Sequence, residues 1–220
     1  MTLKEEVVVA NPKICFAIPA RLNSTRVPGK MLLDFNGKPL VRNVFDEVKS
    51  WGYDTYVVTD SNEIAEVIPS ENVKRTGEAL NGSHRLSMID WDYDIIVNVQ
   101  GDMLGIDFDT VRPLIESIYY DEFDVATLYT VGAKDNDVKV IHTNGNVHWF
   151  TRSNIGYGDR HLGVYAYNSH ILGMYDMFID SAPSEDLEQL RYTSLDFIAI
   201  ETKYNGTEIN TEADINSRTM

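Results

Sequence analysis

The sequence predicts an α/β protein with a mostly parallel central sheet and helices on both faces. Three observations carry that prediction. Strand-like apolar runs alternate with segments of helical periodicity through the first half of the chain. The best strands, residues 14–18 and 95–99, are short and almost wholly apolar, as strands covered on both faces are. Arg21, Asp60 and Asp102 fall just past strand ends, and sheets of this kind bind ligands beyond the carboxyl ends of their strands.

The elements follow in order. The first strand ends at Pro19, which has no N–H for a ladder. A loop then carries Arg21, Arg26 and Lys30, the small polar residues Asn23, Ser24 and Thr25, and the turn pair Pro28-Gly29. Three cations and free backbone N–H groups at a strand end suit a polyphosphate, with a solvated basic turn as the plainer alternative. Asn36-Gly37-Lys38-Pro39 is a turn, and Pro39 fits the first position of a helix over 39–50. Its Leu40, Val41, Val44, Phe45 and Val48 recur at helical spacing. Residues 55–59 form a second strand, and Ser61 or Asn62 caps a short helix through Val67. A short strand over 73–76 precedes the turn at Asn81-Gly82 and a helix bearing His84 and Arg85. The strand over 95–99 runs directly into Gln100-Gly101-Asp102.

The second half changes character. Val111, Leu114, Ile115 and Ile118 mark a helix. Residues 125–131, 138–141 and 147–150 read as strands, the last two joined by the hairpin turn Thr143-Asn144-Gly145-Asn146. A strand over 162–167, helices over 169–179 and 184–195, and a strand over 198–200 complete the chain. No repeat or linker interrupts it, and 220 residues at 43% hydrophobic suit one domain with a continuous core.

Composition excludes several functions. Lys and Arg number 19 against 34 Asp and Glu, a net charge of −15, so nucleic acid and anionic membranes would repel the chain. Cations are scarce, which makes the basic loop more informative. The single cysteine, Cys15, reads as a buried small hydrophobe and allows no internal disulfide, which suits a reducing cytoplasm. No apolar run approaches a membrane span, and the N-terminal stretch is too short and acidic for a signal peptide. A cytoplasmic protein is expected.

Chemistry concentrates in few residues. Asp102, after a buried strand and a glycine, can hold Mg²⁺, which takes one or two protein carboxylates plus phosphate oxygens; a turn or cap aspartate is the alternative. Gln100 offers a donor and an acceptor, suited to a base edge or a sugar hydroxyl. Arg152 and His161 lie near strand ends, where they can meet a carboxylated substrate or serve structure. No His/Cys cluster has zinc spacing, and no Walker or nucleophile-elbow motif is present.

IPARLNSTRVPGKML, VNVQGD, HLGVYAY and LEQLR, in that order, resemble the CMP-KDO synthetases, the 3-deoxy-manno-octulosonate cytidylyltransferases. The resemblance implies a Rossmann-related, GT-A-like fold. It implies one cytidylyltransferase domain over 1–220, nucleotide-binding over about 14–120 and sugar-binding and dimerising over about 121–220. It also implies an enzyme that binds CTP and Mg²⁺, joins CMP to the anomeric hydroxyl of a 3-deoxy-2-keto sugar acid and releases pyrophosphate. By position, Arg21, Ser24, Arg26 and Lys30 match the triphosphate loop, and Arg85 an arginine near the nucleotide. Gln100 and Asp102 match residues at the sugar and the metal, with Asn210 where a second metal-binding aspartate is expected. Arg152, His161, Tyr165, Glu188 and Gln189 match the sugar-acid pocket.

Three departures stand out. His84 replaces an acid before Arg85, the segment between Arg152 and His161 is short, and Asn210 replaces the aspartate. A CMP-nonulosonate synthetase, another sugar nucleotidyltransferase, or a degenerate protein that binds CTP or a CMP-sugar without turnover are the competing readings. A homodimer is expected, with residues 125–129 and 147–150 offering an apolar sheet face.

Overall fold

The computed structural model describes residues 11–23, 27–178 and 185–204, and the backbone of residues 207 and 208. In chain order its elements are β1 (Ile14–Ala20), β2 (Asp34–Phe35), β3 (Lys38–Pro39), α1 (Leu40–Lys49), β4 (Asp54–Thr59), α2 (Asn62–Glu66) and β5 (Val73–Arg75). They continue with α3 (Gly82–Ser87), β6 (Ile95–Asn98), β7 (Met103–Leu104), α4 (Phe108–Tyr119) and β8 (Val125–Thr130). The last are β9 (Lys139–Thr143), β10 (Asn146–Thr151), β11 (Asp159–Asn168), α5 (Ser169–Gly173), β12 (Phe197–Glu201) and β13 (Thr207–Glu208).

Nine strands form one sheet in the order β5-β4-β1-β6-β11-β8-β12-β10-β9. The first four are parallel, as helical crossovers between them require. β11 then runs antiparallel to both β6 and β8, and β10 runs antiparallel to β12 and β9. The sheet is therefore mixed, which corrects the expectation of a mostly parallel one. The physical reason lies in the connections. Between β8 and β11 the chain has no helix, and the single β9–β10 hairpin reverses its direction, so β11 returns antiparallel to β8. The hairpin turn sits where expected, with Asn144 and Gly145 both at positive φ (51° and 87°), as a type I′ turn needs.

Helices cover both sheet faces. Phe16 and Ile18 of β1 and Ile95 and Val97 of β6 pack with Val41, Val44, Ile64, Val111 and Leu114 from α1, α2 and α4. Cys15, Ala17 and Ile96 point the other way, to Leu86 of α3, Leu172 of α5, Leu190 and Tyr192. Burial raises the Cys15 thiol far above its ordinary range, so it is an inert core residue.

Four further expectations change. β1 continues through Pro19 to Ala20. Val99 N–H donates to Ala17 O at 3.0 Å, and the β1–β6 ladder stops there, so the missing N–H of Pro19 lies past the last rung. The helix predicted over 169–179 stops at Gly173, followed by a 3₁₀ turn over Tyr175–Met177. In place of a helix over 184–195, the described residues carry only a 3₁₀ segment, Glu188–Tyr192. There Leu187, Leu190 and Tyr192 are all buried, a spacing of three and two that suits a tight irregular segment. Val125, Leu128, Val147 and Phe150, expected to face a partner, are buried in the chain's own cores.

Candidate active site

The carboxyl ends of β1 and β6 open onto a cleft of about 510 Å³. Its lining also draws on α3, the segment 186–189, β11 and residues 136–138. Five cations line it (Arg21, Lys30, Arg85, Arg152, Arg160) against four carboxylates (Asp102, Asp137, Asp186, Glu188), in a chain with far more acid than base. The cleft thus gathers a slight excess of cations in an acidic chain, which suits an anionic ligand.

At its floor Lys30 donates to Asp102, side chain to side chain. Both are partly buried, with side-chain exposures of 11% and 20%. Two glycines make this approach possible. Gly29 takes φ 67° and returns its N–H to Leu22 O, which closes the loop and starts the 3₁₀ turn Lys30–Leu32. At Gly101 a Cβ would stand 3.0 Å from Met31 Sδ, so glycine lets the turn after β6 pack closely onto the residue beside Lys30 without moving the Met31 side chain.

The wall at α3 is held from within. Arg85 is 3% exposed and donates to Asp60 Oδ2 (3.0 Å), Thr76 Oγ1 (2.7 Å) and Gly77 O (3.3 Å). His84 stacks on Tyr175 (centroids 5.1 Å apart), and its Nδ1 accepts from Leu80 N–H at 3.0 Å. The residue that departs from the family's acid is therefore spent on the fold. Glu188 Oε2 accepts from Ser83 N–H at 3.1 Å, and burial raises its carboxyl above the usual range against the pull of Ser83, Gly82 and Arg21.

The far end is built on β11. Gln100 Nε2 donates to Gly163 O at 2.7 Å, which fixes its amide and leaves its carbonyl oxygen as an acceptor. His161 is 8% exposed, and burial pushes its pKa down to about 3, so it is neutral. Thr127 Oγ1 donates to Val164 O (2.7 Å) and thus accepts from His161 Nε2–H (3.0 Å). That tautomer leaves Nδ1 with a lone pair. Tyr165 is buried, and burial raises its phenol well above the ordinary value. Arg152 is exposed, its backbone N–H held by Glu185 Oε2 at 3.1 Å, and Gln189 is buried in the cleft wall.

Arg21, Lys30, Arg85, Gln100, Asp102, Arg152, His161, Tyr165, Glu188 and Gln189, all picked out in the sequence, line this one cleft. Ser24, Arg26 and Asn210 lie outside the described residues. Arg160 and Asp137 also line it and were missed. The sequence signal for Arg160 was its place beside His161, just before the strand read over 162–167; Asp137 sits in a loop with no pattern of its own. Among the described residues no group of three or more His, Cys, Asp or Glu gathers to hold a metal.

By fold the protein is a nucleotidyltransferase. The structure of CMP:2-keto-3-deoxy-manno-octonic acid synthetase complexed with CTP matches it with TM-score 0.84 and 29% identity, over 93% of this chain and 96% of that one. The inositol-1-phosphate CTP transferase from T. maritima shares the fold, with TM-score 0.70 at 13% identity over 94% of this chain and 93% of its own. The chain belongs to the cytidylyltransferase family, whose model matches residues 15–208. The 3-deoxy-manno-octulosonate cytidylyltransferase of Brucella ovis is 35% identical over 205 residues, 79% of this chain and 80% of that protein. Its counterpart in Bartonella henselae is 34% identical over 208 residues, 79% of this chain and 83% of its own.

Proposed function

We propose that the protein is a cytidylyltransferase that joins CMP from CTP to a 3-deoxy-2-keto sugar acid, KDO or a close relative, and releases pyrophosphate. The observation that carries this reading is the cleft itself. It gathers Lys30, Asp102, His161, Arg152 and Gln189 in one cleft, in a chain of the cytidylyltransferase family.

Each group has work that fits its surroundings. Arg21 and Lys30 meet the triphosphate, whose charge they offset as pyrophosphate leaves. Arg85, fixed by Asp60, shapes the wall on the nucleotide side. Gln100 presents its carbonyl oxygen, and neutral His161 its Nδ1 lone pair, to sugar hydroxyls. Glu188 and Gln189 close the sugar pocket from the opposite wall. A planar carboxylate on the acceptor suits the guanidinium forks of the far end.

The donor set fits a divalent cation shared with the substrate. Mg²⁺ binds through one or two carboxylates plus phosphate oxygens, and Asp102 supplies such a carboxylate inside the cleft. Asn210 would add an amide oxygen. When bound, the ion supplies positive charge against the charge that develops in transfer. Lys30 donates to the same carboxylate.

Pyrophosphate release from CTP and Mg²⁺ with a panel of sugar acids tests the reading. Release should depend on a 3-deoxy-2-keto acid. CTP binding by calorimetry with no release for any acid would leave a binding protein and refute the enzyme.

A further inference from the structure

We propose that Arg160 receives the carboxylate of the sugar acid, and that it gives up Asp137 to do so. The inference rests on the reading that the acceptor is a sugar acid. Such an acceptor brings a planar carboxylate close to its reacting hydroxyl, and a guanidinium meets it with two parallel bonds. Arg160 stands on β11 directly before His161, and both line the cleft. Its Nε lies 3.7 Å from Asp137 Oδ1, and Asp137 lines the same cleft. A carboxylate of the protein thus already faces this guanidinium, at a separation longer than a hydrogen bond. A substrate carboxylate can take its place at closer range.

Asp137 belongs to a clamped loop. Its Oδ2 accepts from Lys134 N–H at 2.7 Å. Buried Lys139 donates to the carbonyls of Asp135 and Asp137, each at 3.1 Å. Asn154, from the short segment that follows Arg152, donates to Asp135 Oδ1 at 2.9 Å. These bonds hold residues 134–137 against the sugar end, so Asp137 stays near Arg160 when its carboxylate is displaced. Arg152, the other arginine at this end, is exposed, and water screens it more than half-buried Arg160.

Steady-state kinetics test the assignment, with the preferred sugar acid and its carboxamide analogue as acceptors. Arg160→Gln should raise KM for the acid about tenfold to a hundredfold, the loss of a charge-assisted bond. KM for CTP should stay unchanged, and the preference for acid over carboxamide should largely vanish. Arg160→Lys should recover only part, because an ammonium has no fork. Asp137→Asn should lower KM for the acid about twofold to fivefold, the range of a partly exposed ion pair. Unaltered discrimination against the carboxamide in Arg160→Gln, or a KM for CTP that rises in step, overturns the assignment. An unchanged KM in Asp137→Asn overturns the displacement. Should Arg160→Gln not fold, the Arg160→Lys ratio decides. A wild-type protein that turns over no sugar acid fails the proposed function instead, and acid against carboxamide binding by calorimetry then reads the role of Arg160.

Discussion

Replacing Asp102 with asparagine separates structure from chemistry at the floor of the cleft. The amide keeps an oxygen for the Lys30 ammonium, so the contact survives without its Coulomb part. Because the pair is partly exposed (11% and 20%), that loss costs about 1 kcal/mol after discounting for solvent. For a chain of this size it lowers Tm by about 2–4 °C. Turnover should suffer far more. The variant has no carboxylate at the floor to hold a cation against the phosphates, and the expected loss is about a thousandfold or more, near 4 kcal/mol of barrier. Pyrophosphate release at saturating CTP, paired with thermal denaturation of the same preparation, reads both quantities. A variant that melts normally and turns over within about tenfold of wild type removes Asp102 from the mechanism.

Three other outcomes follow from the same geometry. Lys30→Ala should weaken CTP binding about tenfold to a hundredfold by calorimetry, and wild-type affinity would reduce the basic loop to a turn. Arg85→Lys keeps the charge but cannot serve Asp60, Thr76 and Gly77 together, and should cost about 1–3 kcal/mol in urea denaturation; an unchanged midpoint would contradict the anchoring role. His161 is held neutral by burial with its pKa near 3, below the ordinary 6.5, so the unfolded chain takes the proton first. Its stabilisation is present above pH 6.5 and lost as pH falls toward 3, and His161→Gln should flatten that part of the stability curve; an undiminished slope would assign the acid sensitivity elsewhere.

Much of the first half was legible because its signals are local. Apolar runs marked β1 and β6, α1 carried a clear helical stripe, and polar residues followed each strand end. The direction of β11 was not legible. Its residues read as a strand either way, and only its insertion between β6 and β8 makes it antiparallel to both. The 3₁₀ segment at Glu188–Tyr192 misread as a helix because Leu190 and Tyr192, with Leu187 just before them, serve a tertiary surface. Arg85 was picked out as a residue near the nucleotide, but its bond to Asp60, 25 positions earlier, needed the fold. The cleft residues come from eight separated stretches of chain, so their convergence could be expected only from the family resemblance.

The central claim is that this cleft joins a cytidylyl group to a sugar acid. Mass spectrometry of the products from CTP, Mg²⁺ and a mixture of 3-deoxy-2-keto acids tests it most directly. The account predicts one new species with the mass of CMP condensed with a single sugar acid, formed in step with pyrophosphate. CTP returned intact beside every acid, or CMP attached to an acceptor that lacks a carboxylate, would contradict it.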